Sequence, residues 1–108
     1  MENWFEITGT EDFEARVLKS EKPVFVKFTA AWCAPCKALN PILHDLAKTY
    51  SDQMNFAEVD IDQNLELAKN FKVRGVPTTM VVRAGSVSHV NSGKKSNSYY
   101  QDLCKEVI

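Results

Sequence analysis

Two cysteines separated by two residues, Cys33 and Cys36, are the part of this chain best suited to chemistry. A C-x-x-C pair serves either as a redox couple or as half of a metal site. A zinc site would need a second pair of ligands. His44 and His89 stand alone, and Cys104 belongs to an apolar stripe near the C-terminus. The redox reading is preferred, and no metal is expected. The segment Thr29-Ala30-Ala31-Trp32-Cys33-Ala34-Pro35-Cys36-Lys37 lies where an apolar run ends and a helical pattern begins. Cys33 is therefore expected at a helix N-terminus, where unpaired N–H groups and a partial positive charge stabilise a thiolate. The thiolate is the form that attacks a disulfide. Cys36 follows one helical turn later, close enough to attack a mixed disulfide formed at Cys33. Pro35 suits an early helical position.

The elements that must hold this pair are legible as periodicities. Pro23 to Thr29 (PVFVKFT) is almost wholly apolar, which suits a central strand covered on both faces. A helix then runs from about Cys33 to Tyr50, with Leu39, Ile42, Leu43, Leu46 and Ala47 on one side. Pro41 lies inside it and is expected to bend it. Upstream, Trp4 to Thr8 reads as a strand. Thr10 reads as the cap of a helix over Glu11 to Lys19 that buries Phe13, Val17 and Leu18. Downstream, Met54 to Asp60 reads as a strand and Asn64 to Phe71 as a short helix. Thr78 to Arg83 and Val87 to Asn91 read as a hairpin around Gly85. Ser96 to Val107 closes the chain as a helix with Tyr100, Leu103, Cys104 and Val107 inward. The order is β-α-β-α-β-α-β-β-α, an α/β layered fold with a mixed sheet.

Size and charge narrow the function. The 108 residues are expected to form one domain, 1–108, with 44% hydrophobic and 25% charged residues. A net charge of −1 offers no strongly basic surface, so no nucleic-acid partner is expected. No apolar run reaches the length that spans a bilayer, so no membrane partner is expected either. Met1 to Phe13 carries Glu2, Glu6, Glu11 and Asp12 rather than the positive end and apolar stretch of a secretory leader. A cytoplasmic location follows as the expectation. Three cysteines, an odd and small number, do not make a disulfide framework.

The motif WCAPCK resembles the signature of the thioredoxin family, whose usual form is WCGPCK. The resemblance extends over essentially the whole chain: VFVKFTAAWCAPCK is followed by Pro41-Ile42-Leu43, VDIDQN, VRGVPT, Gly85 and Gly93 at the family's spacing. It implies the thioredoxin fold, a central mixed sheet flanked by helices. It also implies a redox-active disulfide, Cys33–Cys36, with Cys33 the exposed nucleophile and Cys36 the buried resolving thiol. Val76-Pro77 corresponds to the family's cis-proline loop facing the cysteines. Trp32, Ala34, Pro35, Val76, Pro77 and Gly93 match the substrate-binding surface. The implied function is reduction of protein disulfides, with electron transport through the dithiol, recharging by a thioredoxin reductase, no bound cofactor and a monomeric state. Two rival functions are an oxidant or isomerase of an oxidising compartment, and a docking subunit that does not use its cysteines.

The chain departs from the family pattern at several positions. Ala34 stands where glycine is usual and Thr29 where tryptophan is common. Six residues before Cys33, where the family usually buries an aspartate thought to relay the resolving thiol's proton, this chain has Lys27. On the neighbouring strand, where lysine is common, it has Glu58. The pair is charge-reversed. Either both side chains snorkel to solvent, or they pair beneath the disulfide, with Glu58 or a neutral Lys27 as the base. Asp60 to Asn64 imitates the start of a calcium loop, but Leu65 and Phe71 stand where glycine and glutamate are required. Cys104 reads as a core thiol. His44 and His89 read as surface residues, and Lys94, Lys95 and Lys105 as a solvated face.

Overall fold

The computed structural model describes residues 1–108. Its strands are β1 (Trp4–Glu6), β2 (Val24–Thr29), β3 (Asn55–Asp60), β4 (Thr78–Arg83) and β5 (Ser86–Ser92). Its helices are α1 (Thr10–Phe13), α2 (Ala34–Thr49), α3 (Leu65–Asn70) and α4 (Asn97–Val107). The strands form one mixed sheet in the order β1-β3-β2-β4-β5. β1 and β2 run parallel to β3, β4 runs antiparallel to β2, and β5 antiparallel to β4. The element order and mixed sheet are those expected from the sequence.

The apolar run of β2 explains its central place. Val24, Val26 and Phe28 pack on one face with Phe13 and Val17, and with Leu67 of α3. Phe25 packs on the other with Leu39 and Leu43 of α2 and Tyr100 and Leu103 of α4. A strand covered on both faces has no room for the polar alternation of a half-exposed one. Lys27 shares the Phe25 face through the two-residue period of the strand. Two buried asparagines tie loops to this frame. Asn3 Nδ2 donates to the carbonyls of Ala47 and Met54 at 2.8 and 3.2 Å. Asn64 accepts from Gly9 N–H at 2.8 Å and donates to Asp60 O at 3.0 Å.

Some local expectations are corrected. Gly9, not Thr10, precedes the first helical turn, at φ 92°, where glycine carries no steric penalty. Asp12 reaches back to accept from Thr8 N–H at 2.8 Å. The helix expected over Glu11–Lys19 widens after Phe13 into a π-helical stretch, Glu14–Leu18. Lys19 N–H there donates to Glu14 O at 3.0 Å, five residues back. α2 runs through Pro41 as one helix, as expected. The hairpin turn between β4 and β5 has Ala84 at φ 51° and Gly85 at φ 79°. Positive φ at both central residues is the mark of the type I′ turn. His44 is half-buried, with its ring 4.3 Å from that of Trp4.

Candidate active site

β2 ends at Thr29, and the chain turns through Ala30 to Trp32 into α2. Cys33 is the N-cap of that helix, with extended φ −95° and ψ 104°. Its backbone N–H donates to Ala30 O at 3.2 Å, which fixes the turn. Cys33 and Cys36 are joined as a disulfide, with Cα atoms 5.3 Å apart. Cys36 N–H donates to Cys33 Sγ at 3.2 Å. This is the bond that a side-chain acceptor makes to a first-turn amide in an N-cap, with sulfur in the acceptor role. Pro35 sits at the start of the helix, where its missing N–H leaves no bond unmade.

Cys36 is buried as expected, and Cys33 is more buried than expected. Cys33 is 3% exposed and Cys36 fully buried. The expectation of an exposed Cys33 is corrected: Ala30, Ile61 and Val76 pack around the pair. What little exposure the pair has belongs to Cys33. The Val76–Pro77 bond is cis. Pro77 O accepts from Gly93 N–H at 2.8 Å, so Val76, Pro77 and Gly93 lie together beside the cysteines. Trp32 is 69% exposed and its Nε1 donates to Asp62 Oδ2 at 2.9 Å. Ala34 and Pro35 are exposed on the first turn of α2.

Lys27 is 1% exposed, so it does not snorkel. It is the register partner of Glu58 on β3, and Glu58 is in turn the partner of Glu6 on β1. Yet the ammonium makes no ion pair with Glu58; its hydrogen bond goes to Asn40 Oδ1 on α2. Burial pushes the Lys27 pKa down, and the Glu58 charge partly offsets that. On the other side its register partner is Thr79, whose buried hydroxyl has no partner. Sequence reasoning missed Asn40 and Asp62. Asn40 follows Cys36 by four residues, the spacing that shares a helix face, and this was the available signal. Nothing local pointed from Trp32 to Asp62, which lies 30 residues away. Glu6, Glu58 and Asp60 line one polar cavity. Cys104 is buried in the α4 core, as expected, and burial pushes its thiol up to about 11.

A helix-capping disulfide against a cis-proline turn, on a five-stranded mixed sheet, defines a thiol–disulfide oxidoreductase. Comparison with known proteins gives the same class. The family model described as Thioredoxin matches residues 5–106. A thioredoxin of Acidithiobacillus ferridurans is 40% identical over 88 residues, which is 82% of each chain. The mitochondrial thioredoxin of Mus musculus is 36% identical over 104 residues, 96% of this chain and 63% of that protein. A bifunctional thioredoxin reductase/thioredoxin of Mycobacterium leprae is 37% identical over 99 residues, 91% of this chain and 21% of that protein. The chain belongs to the thioredoxin family and is a thioredoxin-type disulfide reductase. No helix is long and apolar enough to cross a membrane.

Proposed function

We propose that residues 1–108 act as a single reductase domain on disulfide-containing proteins, with Cys33 as nucleophile and Cys36 as resolving thiol. One observation carries the assignment: Cys36 N–H points at Cys33 Sγ from the first turn of a helix of 16 residues. In the reduced protein the same N–H and the helix dipole stabilise a Cys33 thiolate. That thiolate attacks one sulfur of the substrate disulfide, and the other sulfur leaves as a thiolate. Cys36, deprotonated, then attacks Cys33 Sγ. The Cys33–Cys36 bond forms, the mixed disulfide breaks, and two electrons have passed to the substrate. Trp32, Ala34, Pro35, Val76 and Gly93 form the docking surface, and the buried Pro77 shapes it from beneath. Lys27 and Glu58, register partners on adjacent strands, with Lys27 buried beneath the helix that carries Cys36, handle the Cys36 proton.

The dithiol is regenerated by a thioredoxin reductase, and the bifunctional relative supports that pairing. The chain works as a cytoplasmic monomer in electron transport, with no bound cofactor. The test is a pair of variants assayed on insulin disulfides. Cys33→Ser is expected to abolish reduction. Cys36→Ser is expected to accumulate mixed disulfides with substrate, visible as a mass adduct that dithiothreitol removes. Adducts on Cys33→Ser instead would reverse the two roles.

A further inference from the structure

The loops beside the Cys33–Cys36 pair carry an uneven set of charges. Arg74 precedes the Gly75-Val76-Pro77 turn, and Lys94 and Lys95 follow Gly93; all three are exposed. Their backbone is anchored from within. Gly93 N–H donates to Pro77 O at 2.8 Å. Lys95 N–H donates to the hydroxyl of the fully buried Tyr100 at 2.9 Å. Thr78 Oγ1 donates to Gly75 O at 2.6 Å. Val76 packs against the cysteines themselves.

None of these cations has a carboxylate partner. The ion pairs of the molecule join Arg16 to Asp12, Lys19 to Glu14 and His89 to Glu106. Asp62, which also belongs to this surface, accepts from the neutral indole N–H of Trp32, which does not offset its carboxylate; the three cations outnumber it. The whole chain carries a net charge of −1, so a cationic edge here is local and not a reflection of overall composition. Exposed, unpaired like charges on an anchored loop raise the local potential and steer oppositely charged partners.

We propose that Arg74, Lys94 and Lys95 select protein substrates whose reactive disulfide is flanked by Asp or Glu. This rests on the docking role given above to Val76, Pro77 and Gly93. The cations act on encounter and orientation, while thiol–disulfide exchange proceeds as described. The effect is therefore screened by salt, on the scale of a Debye length of about 10 Å at 0.1 M.

The experiment uses the reduced full chain and three peptides, each closed by one disulfide and flanked by Glu, Gln or Lys. Uncharged hydroxyethyl disulfide is the reference. At low salt, kcat/KM for the Glu peptide should exceed that for the Gln peptide by about 10-fold, and the Lys peptide should be slowest. At about 0.5 M salt the three should converge. Arg74→Glu/Lys94→Glu/Lys95→Glu should reverse the order. Equal rates at low salt, or an order that salt does not change, would overturn the proposal. The salt series on the unaltered chain decides this even if the triple variant misfolds. Reduction of hydroxyethyl disulfide with a flat peptide series would sink only the cationic edge. No reduction of hydroxyethyl disulfide would sink the reductase reading as well.

Discussion

Lys27 is the residue on which the site departs furthest from a simple apolar support. A buried ammonium is tolerated only with a partner, and its one hydrogen bond goes to Asn40. Asn40→Ala removes that acceptor while leaving the amine buried. The expected loss is about 2 kcal/mol of unfolding free energy in urea, in the range for hydrogen bonds to charged groups. Lys27→Met combined with Asn40→Leu should cost less than the sum of the single changes, because no orphaned polar group remains. Additive losses would mean that the two side chains do not depend on each other. Cys104 gives a prediction with a definite sign. Burial raises its thiol from 9.0 to about 11. Between those values the unfolded chain gives up the proton and the folded chain keeps it. Stability from this thiol is thus full below about pH 9 and is lost as pH rises towards 11. The loss is about 3 kcal/mol at about 1.4 kcal/mol per pH unit. Cys104→Ala should lack it, while Lys27 and Tyr100 titrate in both proteins and cancel. Parallel stability curves for the two proteins between pH 8 and about 11 would refute the assignment.

Among the elements, α2 and the β4–β5 hairpin show how local sequence sets geometry. α2 begins where β2 stops, and the capping position falls on Cys33, so the helix start and the nucleophile are one residue. The hairpin is less well matched. Ala84 adopts φ 51° in a turn whose first central position favours Asn, Asp or Gly. A side chain held in the left-handed region costs about 1 kcal/mol. Ala84→Asn completes the Asn-Gly pair with Gly85 and should raise the unfolding free energy by about 0.5–1 kcal/mol, with reductase activity unchanged. A fall in thermal midpoint would show that this turn does not constrain the strands as described. The β5 register also shifts between Thr79 and Val81, where His89 takes φ 51°. Sequence alternation could not show this bulge, since β5 is an exposed strand with no apolar alternation whose phase an extra residue would break.

For the molecule as a whole, one sheet serves two cores. Leu43 belongs to the α2–α4 side and Met80 to the side of α1 and α3, and each is at most 1% exposed. Because β2, β3 and β4 contribute to both sides, neither can unfold alone. Leu43→Ala and Met80→Ala should each cost about 2–5 kcal/mol. Each should keep one transition with the same urea dependence by far-UV circular dichroism and by tryptophan fluorescence. Non-coincident transitions would mean that the two sides unfold separately. The sequence by itself determined the element order, the sheet class, the inward face of α4 and the cysteine pair at a helix start. These rest on neighbours in the chain: two- and 3.6-residue periods, turn residues and caps are written in consecutive positions. The tertiary structure alone decided the burial of Cys33, the turn of Lys27 to Asn40 rather than Glu58, and the bond from Trp32 to Asp62. The last two join residues 13 and 30 positions apart. Register on the sheet brings Lys27 and Glu58 side by side, but only the packing of α2 over that face puts an amide oxygen nearer the ammonium. Which partner a buried charge takes is fixed by the groups that close over it, and no local pattern encodes that.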